Sequence, residues 1–121
     1  MGVLEVRTKG FALSVIRVVE LLPRSIAGQV IGKQLIRSGT SVGAQYREGC
    51  RARSKVEFIA KIEGAIQELN ETIYWLELLC DGAILPLHSL QSVLHDANEI
   101  IAMLTASSKT AKSQVNKTDK Q

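Results

Sequence analysis

Apolar residues recur along this chain at spacings of three and four, which is the period of an amphipathic α-helix. The spacing predicts a first helix from Lys9 to Leu22 and a second from Ile26 to Arg53, separated by the helix-breaking Pro23. We find no runs of alternating apolar and polar residues, as half-buried strands require. The apolar stripe of the first helix consists of Phe11, Val15, Val18 and Leu22.

The second predicted helix carries small residues along one side, namely Gly28, Gly32, Gly39, Gly43 and Gly49. Each glycine costs a helix up to about 1 kcal/mol relative to alanine. We therefore expect another helix to approach this side closely enough to offset the cost.

A third helix is predicted to begin after Ser54 and to end near Asp81–Gly82. Ser54 and Glu57 form a capping-box pattern, in which the two residues satisfy each other's free backbone N–H groups. Gly82 suits the left-handed conformation that often follows a helix. The inner face of this helix is predicted to consist of Phe58, Ile62, Ala65, Leu69, Leu76 and Leu79.

Pro86 is predicted to open a fourth helix that continues to Leu104. Its apolar positions are Leu87, Leu90, Leu94, Ala97, Ile101 and Leu104. Short connections make consecutive helices antiparallel, so the fold class is all-α, an antiparallel up-and-down four-helix bundle. Residues 1–8 are predicted to be an N-terminal extension, residues 9–104 the bundle, and residues 105–121 a polar, disordered tail.

A chain of 121 residues, 45% of them hydrophobic, is the size of a single soluble domain. It is too short for a TIM barrel and too apolar for a disordered protein. No apolar run approaches the ~18 residues of a membrane span, and charged residues replace the apolar stretch of a signal peptide, so we expect a cytoplasmic protein without a membrane partner. Cys50 and Cys80 are expected to be buried thiols in a reducing compartment.

Charge is divided unevenly along the chain. Residues 1–61 hold eleven Lys and Arg against four acids, while residues 62–104 hold seven acids and no Lys or Arg. The net charge of +3 arises in residues 105–121, because the bundle itself sums to zero. Opposed basic and acidic surfaces favour self-association, and a head-to-tail contact between them can close into a ring.

The sequence lacks signs of catalytic or metal chemistry. A di-iron bundle needs Glu-x-x-His on two helices, but Leu85 and Ser92 stand three residues before His88 and His95. The two histidines are one heptad apart, ~10 Å along a helix, and are expected to be solvated rather than to share a metal. We predict a protein that is not an enzyme, with no cofactor, no metal and no small-molecule substrate.

Four cations recur within a narrow angular sector of the second helix: Lys33, Arg37, Arg47 and Arg51. This basic stripe is a candidate surface for binding RNA, DNA or an acidic partner. The alternative is a solvated helix face whose last arginines complement the helix dipole.

Tyr74, Trp75 and Leu78 point away from the inner face of the third helix, on the side that also carries Glu68 and Glu71. A helix that is apolar on both sides is buried on both sides, and Trp and Tyr are favoured interface residues. We predict a subunit interface here, in which the two glutamates could meet Arg47 or Arg51 of a neighbour. The alternative is that the fourth helix, or the segment before the first, covers these residues.

Residues 37–59 read RSGTSVGAQYREGCRARSKVEFI, and residues 74–79 read YWLELL. From Phe11 to Leu104 the chain resembles bacterial four-helix-bundle proteins first noticed as reading frames inside intervening sequences of large-subunit ribosomal RNA genes. It departs at Gln45, where the family usually has asparagine.

That resemblance implies a homopentameric ring with no established catalytic activity. A distantly similar branch serves diversity-generating reverse transcriptases as a basic, nucleic-acid-binding accessory subunit. We predict a non-catalytic homo-oligomeric scaffold or binding module, with an RNA- or DNA-binding accessory protein as the alternative.

Overall fold

The computed structural model describes residues 2–119, and within them the chain forms four α-helices and no strand. The helices are α1 (Val3–Glu20), α2 (Ile26–Cys50), α3 (Lys55–Asp81) and α4 (Gln91–Asp119), with a 3-10 turn at Leu87–Ser89 before α4. The predicted all-α class is confirmed.

The four helices form an up-and-down bundle. α1 packs against α2 and α4, and α3 packs against the same two helices, so α1 and α3 are diagonal to each other. Large side chains that are almost completely buried fill the centre, including Phe11, Val15, Leu35, Ile62, Leu69, Leu76, Ile100 and Leu104.

The small residues of α2 allow close packing, as the sequence predicted. A Cβ atom added to Gly39 would lie 2.9 Å from both methyl carbons of Val15, and one added to Gly43 would lie 3.2 Å from Thr8 Oγ1. α1 therefore approaches α2 at positions where a side chain on α2 would not fit.

A polar seam fixes the antiparallel register of α2 and α3. Ser38 and Thr72 are fully buried, and their hydroxyl oxygens are 2.8 Å apart. Further along, Lys61 Nζ lies 2.7 Å from the Glu48 carboxylate. These pairs place the end of α2 beside the start of α3.

The capping residues of α3 were predicted, with one difference. Ser54 Oγ accepts a hydrogen bond from the Glu57 backbone N–H at 3.1 Å. The Glu57 carboxylate accepts in turn from the N–H of Arg53, at 3.2 Å, rather than from that of Ser54. α2 ends at Cys50 and not at Arg53 as predicted, because the N–H groups of Arg51 and Ala52 donate to carbonyls three residues earlier instead of four.

The turn after α3 corrects two expectations. The left-handed residue is Ala83, with φ of 55°, whereas Gly82 has φ of −82°. The backbone N–H groups of Ile84 and Leu85 both donate to the carbonyl of Leu79, which folds the chain back at Ala83. Because a 3-10 turn follows Pro86, this proline does not open α4 directly.

The buried face of α4 differs in part from the predicted one. Val93 and Ile100 take deep positions beside Leu90, Ala97 and Leu104. Three residues predicted to line the core lie further out, since Leu94 and Ile101 are only partly buried and Leu87 is 49% exposed.

Residues 3–8 belong to α1, and the predicted N-terminal extension is corrected accordingly. Leu4 and Thr8 are buried on the same stripe as Phe11, and Thr8 Oγ1 donates a 2.7 Å hydrogen bond to the Leu4 carbonyl. A threonine on the core side interrupts the apolar pattern, which is why the sequence placed the helix start too late. Met1 lies outside the described residues.

The prediction of a disordered tail from residue 105 is also corrected, because α4 continues to Asp119. Ser108 and Ala111 are buried, and Lys112 Nζ lies 2.5 Å from the Glu63 carboxylate of α3. Small side chains face α3 here, so the sequence showed little apolar periodicity. Residues 120 and 121 of the predicted tail lie outside the described residues.

Candidate interaction surfaces

Tyr74, Trp75 and Leu78 lie on the α2-facing side and the outer side of α3. Tyr74 is 56% exposed, whereas Trp75 and Leu78 are partly buried. The Tyr74 and Trp75 rings meet edge to face with centroids 5.4 Å apart. Trp75 also packs against the core, and its buried Nε1 has no hydrogen-bond partner among the described residues.

Glu68 and Glu71, predicted to face a neighbouring subunit, lie against Arg37 of the same chain. Arg37 Nη1 is 3.3 Å from Glu68, and Arg37 Nη2 is paired with Glu71. Arg37 also donates to Gln34 from Nε. This exposed cluster ties α2 to α3 on the outside of the bundle.

The basic stripe is therefore divided. Lys33, Arg47 and Arg51 are exposed, and none of the three forms an ion pair within residues 2–119. Arg37 alone turns toward α3. The stripe that is left extends along the outer side of α2 and borders a shallow groove against α1, where Lys9 and Arg47 face each other across Gly43.

Tyr46 and Cys50 lie near the end of this stripe. Burial, a hydrogen bond to Cys50 and the nearby charge of Glu5 together raise the pKa of Tyr46 to about 12. The phenol is therefore neutral at physiological pH and adds no charge to the surface. Cys50 is exposed, which corrects the prediction of a buried thiol, while Cys80 is partly buried; both are free.

The structure shows an apolar surface on α1 that the sequence analysis missed. Val3, Val6 and Leu13 are 67%, 55% and 45% exposed, and they surround Gly10. We call these four residues the α1 face. Their helical spacing is visible in the sequence, but Val3 and Val6 lie in residues 1–8, which were predicted to be an N-terminal extension and not part of a helix.

A second apolar surface surrounds Tyr74. Arg37 of α2 contacts Glu71 of α3. Val30 stands one heptad before Arg37, and Leu78 stands one heptad after Glu71. Because α2 and α3 are antiparallel, Val30 and Leu78 lie on the same seam between the two helices. Ile26 lies one turn before Val30. Val30 and Ile26 are 54% and 86% exposed. We call Ile26, Val30, Tyr74 and Leu78 the Tyr74 patch.

The described residues offer no metal cluster, and none of their helices is long and apolar enough to cross a membrane. His88 and His95 are exposed, as predicted, and His95 Nε2 lies 3.3 Å from Glu99 of the same helix.

Comparison with known proteins identifies the family. The model of the family described as 23S rRNA-intervening sequence protein matches residues 4–106. The chain belongs to this family. The chain is similar to the crystal structure of a protein of unknown function, from the S23 ribosomal protein family of Bacteroides thetaiotaomicron. The two are 36% identical with a TM-score of 0.83, over 88% of this chain and 99% of that one. No curated protein matches this chain.

Gln45 places its amide against Gly64 of α3, in space that a side chain at position 64 would fill. The match ends at residue 106, so the last turns of α4 lie outside it.

Proposed function

We propose that this chain is a non-catalytic, homo-oligomeric scaffold or binding module of the cytoplasm that assembles as a pentameric ring. The observation that carries the proposal is the exposed apolar surface. Ten large apolar side chains are at least 41% exposed, and several of them cluster in the α1 face and the Tyr74 patch. Clustered exposed apolar side chains on a small domain are typical of protein interfaces.

The distribution of ion pairs supports the same proposal. Within the described chain, Arg7 pairs with Asp96 and Glu99, and Arg37 pairs with Glu68 and Glu71. Other charges have no such partner among residues 2–119: Lys9, Arg17, Lys33, Arg47 and Arg51 on α1 and α2, and Glu77 and Asp81 on α3. Unpaired charges of opposite sign on different helices of a subunit favour contacts between subunits.

The buried polar groups support a structural rather than a catalytic core. Thr8, Ser38 and Thr72 are buried, and each lies within hydrogen-bond distance of a backbone carbonyl four residues earlier in its own helix. These buried hydroxyls have their hydrogen-bond partners in the backbone of their own helices and are not poised as nucleophiles.

Light scattering coupled to size exclusion tests the proposal. We expect the protein at micromolar concentration to have about five times the 13.2 kDa mass of the chain. Because a closed ring has no free interface, the mass should stay constant when the concentration is raised further. A monomer throughout this range would contradict the proposal.

A second candidate function is RNA or DNA binding, favoured by the unpaired cations along the outer side of α2. Phosphate contacts release counterions, so affinity should fall steeply with salt. We expect the triple variant Lys33→Gln, Arg47→Gln and Arg51→Gln to bind a generic single-stranded RNA at least about tenfold more weakly at low salt.

Arg37→Gln is the matched control for this experiment, because Arg37 is engaged with Glu68 and Glu71 and should change affinity little. No binding by the unmodified protein at low salt contradicts nucleic-acid binding. Binding lost only when residues 107–121 are removed contradicts the α2 stripe as its site.

A further inference from the structure

We propose that the α1 face of one copy binds the Tyr74 patch of the next copy, and that this single contact builds the assembly. The inference rests on the proposed homo-oligomeric function and names the surfaces that carry it. Each surface contains exposed apolar side chains that no described part of the chain covers.

Gly10 is the strongest sign that something approaches the α1 face. It lies in the interior of α1, where glycine weakens a helix, and a Cβ atom added there would meet nothing within 4 Å. Gly39 and Gly43, in contrast, make room for α1. Packing within the chain therefore does not account for Gly10, whereas a helix of another copy lying across Val6 and Leu13 does.

The Tyr74 patch has the apolar and aromatic chemistry that the opposing surface needs. Tyr74 projects from α3 with more than half of its surface exposed, which suits an aromatic anchor at an interface. Ile26 and Val30 extend the apolar area on one side, and Leu78 extends it toward the end of α3.

Charges of opposite sign border the α1 face and the α3 side of the Tyr74 patch. Lys9 borders the α1 face, and Arg17 continues it one turn beyond Leu13. Glu77 and Asp81 follow Tyr74 and Leu78 at three residues each, on the outer side of α3. Since none of these four charges is paired within residues 2–119, each is free to pair across the contact.

The topology of the bundle determines the kind of assembly. α1 and α3 are diagonal, and the Tyr74 patch lies along the seam between α3 and α2, so the α1 face and the patch point to different sides of one molecule. Two copies cannot satisfy both surfaces of each at once. The contact is therefore head to tail, and it makes a ring when the rotation between copies closes.

Two single variants test the contact by mass measurement, namely Leu13→Asp on the α1 face and Tyr74→Asp on the patch. We expect each variant to be a monomer under conditions in which the unmodified protein is an oligomer. An equimolar mixture should form a dimer and nothing larger, because one intact surface of each kind remains. Val56→Asp is the matched control: Val56 is 66% exposed on α3, about five turns from Tyr74, and should leave assembly unchanged.

The outcomes separate this inference from the proposed function. If the unmodified protein is a monomer, the proposed function fails and this inference fails with it. If the unmodified protein is an oligomer and either aspartate variant assembles like it, or the mixture stays monomeric, this inference is overturned and the proposed function stands. Far-ultraviolet circular dichroism verifies that each variant is folded.

Charge reversal provides a second measurement that does not depend on an apolar-to-acidic change. Lys9→Glu with Arg17→Glu should weaken assembly at least tenfold, as should Glu77→Lys with Asp81→Lys. Mixing the two reversed proteins should restore association between them. Failure of the mixture to associate would overturn the pairing of these charges.

Discussion

Replacing Gly28 by alanine should lower the free energy of unfolding by about 2–3 kcal/mol, the range expected for overpacking against atoms that cannot move away. A Cβ atom added to Gly28 would clash with the backbone carbonyl oxygen of Pro23, at less than the van der Waals contact distance, and would also lie 3.2 Å from Ser25 Oγ. Ser25 Oγ accepts the hydrogen bond from the Gly28 N–H that caps α2. The substitution therefore distorts the turn between α1 and α2 and its cap together.

The same substitution at Gly10 is the matched control. Nothing lies within 4 Å of an added Cβ atom there, so alanine should stabilise the isolated chain by up to about 1 kcal/mol through helix propensity alone. Urea unfolding followed by circular dichroism, at one low protein concentration, measures both. Equal effects at the two positions would contradict the tight turn that the structure shows at Gly28.

The bundle was predictable because its helices are long and strongly periodic. The repeat from Ile62 to Leu79 identified the buried side of α3, and only Phe58 lies further out than expected. The glycines of α2 also indicated close packing, since a helix retains so many only where a neighbour needs the space. These signals are local in sequence and needed no knowledge of the other helices.

The helix ends were harder, because the last turns bury small or polar side chains. Thr8 and Ser108 lie on the buried sides of their helices, but polar side chains are usually exposed, so the sequence indicated surface positions for both. Ala83 adopts a positive φ beside a glycine that does not need one, owing to hydrogen bonds from Ile84 and Leu85 to Leu79. Tertiary packing decided these details, and local propensity did not.

Pairing between helices was also invisible in the sequence. Arg37 fits the stripe with Lys33 by helical angle, but it lies close enough to α3 to bond Glu68 and Glu71. The Tyr74 patch depends on the register of α2 and α3, which brings Val30 to Leu78. The periodicity of one helix shows which of its residues lie on the same face. It does not show which residues of another helix pack against that face.

Removing residues 107–121 should destabilise the protein, although the sequence predicted a disordered tail there. Ser108 and Ala111 are buried in this segment, and Ala111 lines a groove together with Phe58 at the start of α3. Exposing on the order of 100 Å² of apolar surface costs about 2.5 kcal/mol. Loss of the exposed pair of Lys112 and Glu63 adds at most about 1 kcal/mol. Urea unfolding measures the change.

A chain that ends after Asn116 is the control for this truncation. It keeps the buried Ser108 and Ala111, together with the contact of Gln114 with Lys55, and removes a segment whose first residue, Lys117, is exposed. Its stability should match that of the full chain. Removing residues of α4 that pack on Phe58 must expose apolar surface and lower the free energy of unfolding. If removal of residues 107–121 leaves the free energy of unfolding unchanged, this part of α4 does not stabilise the bundle.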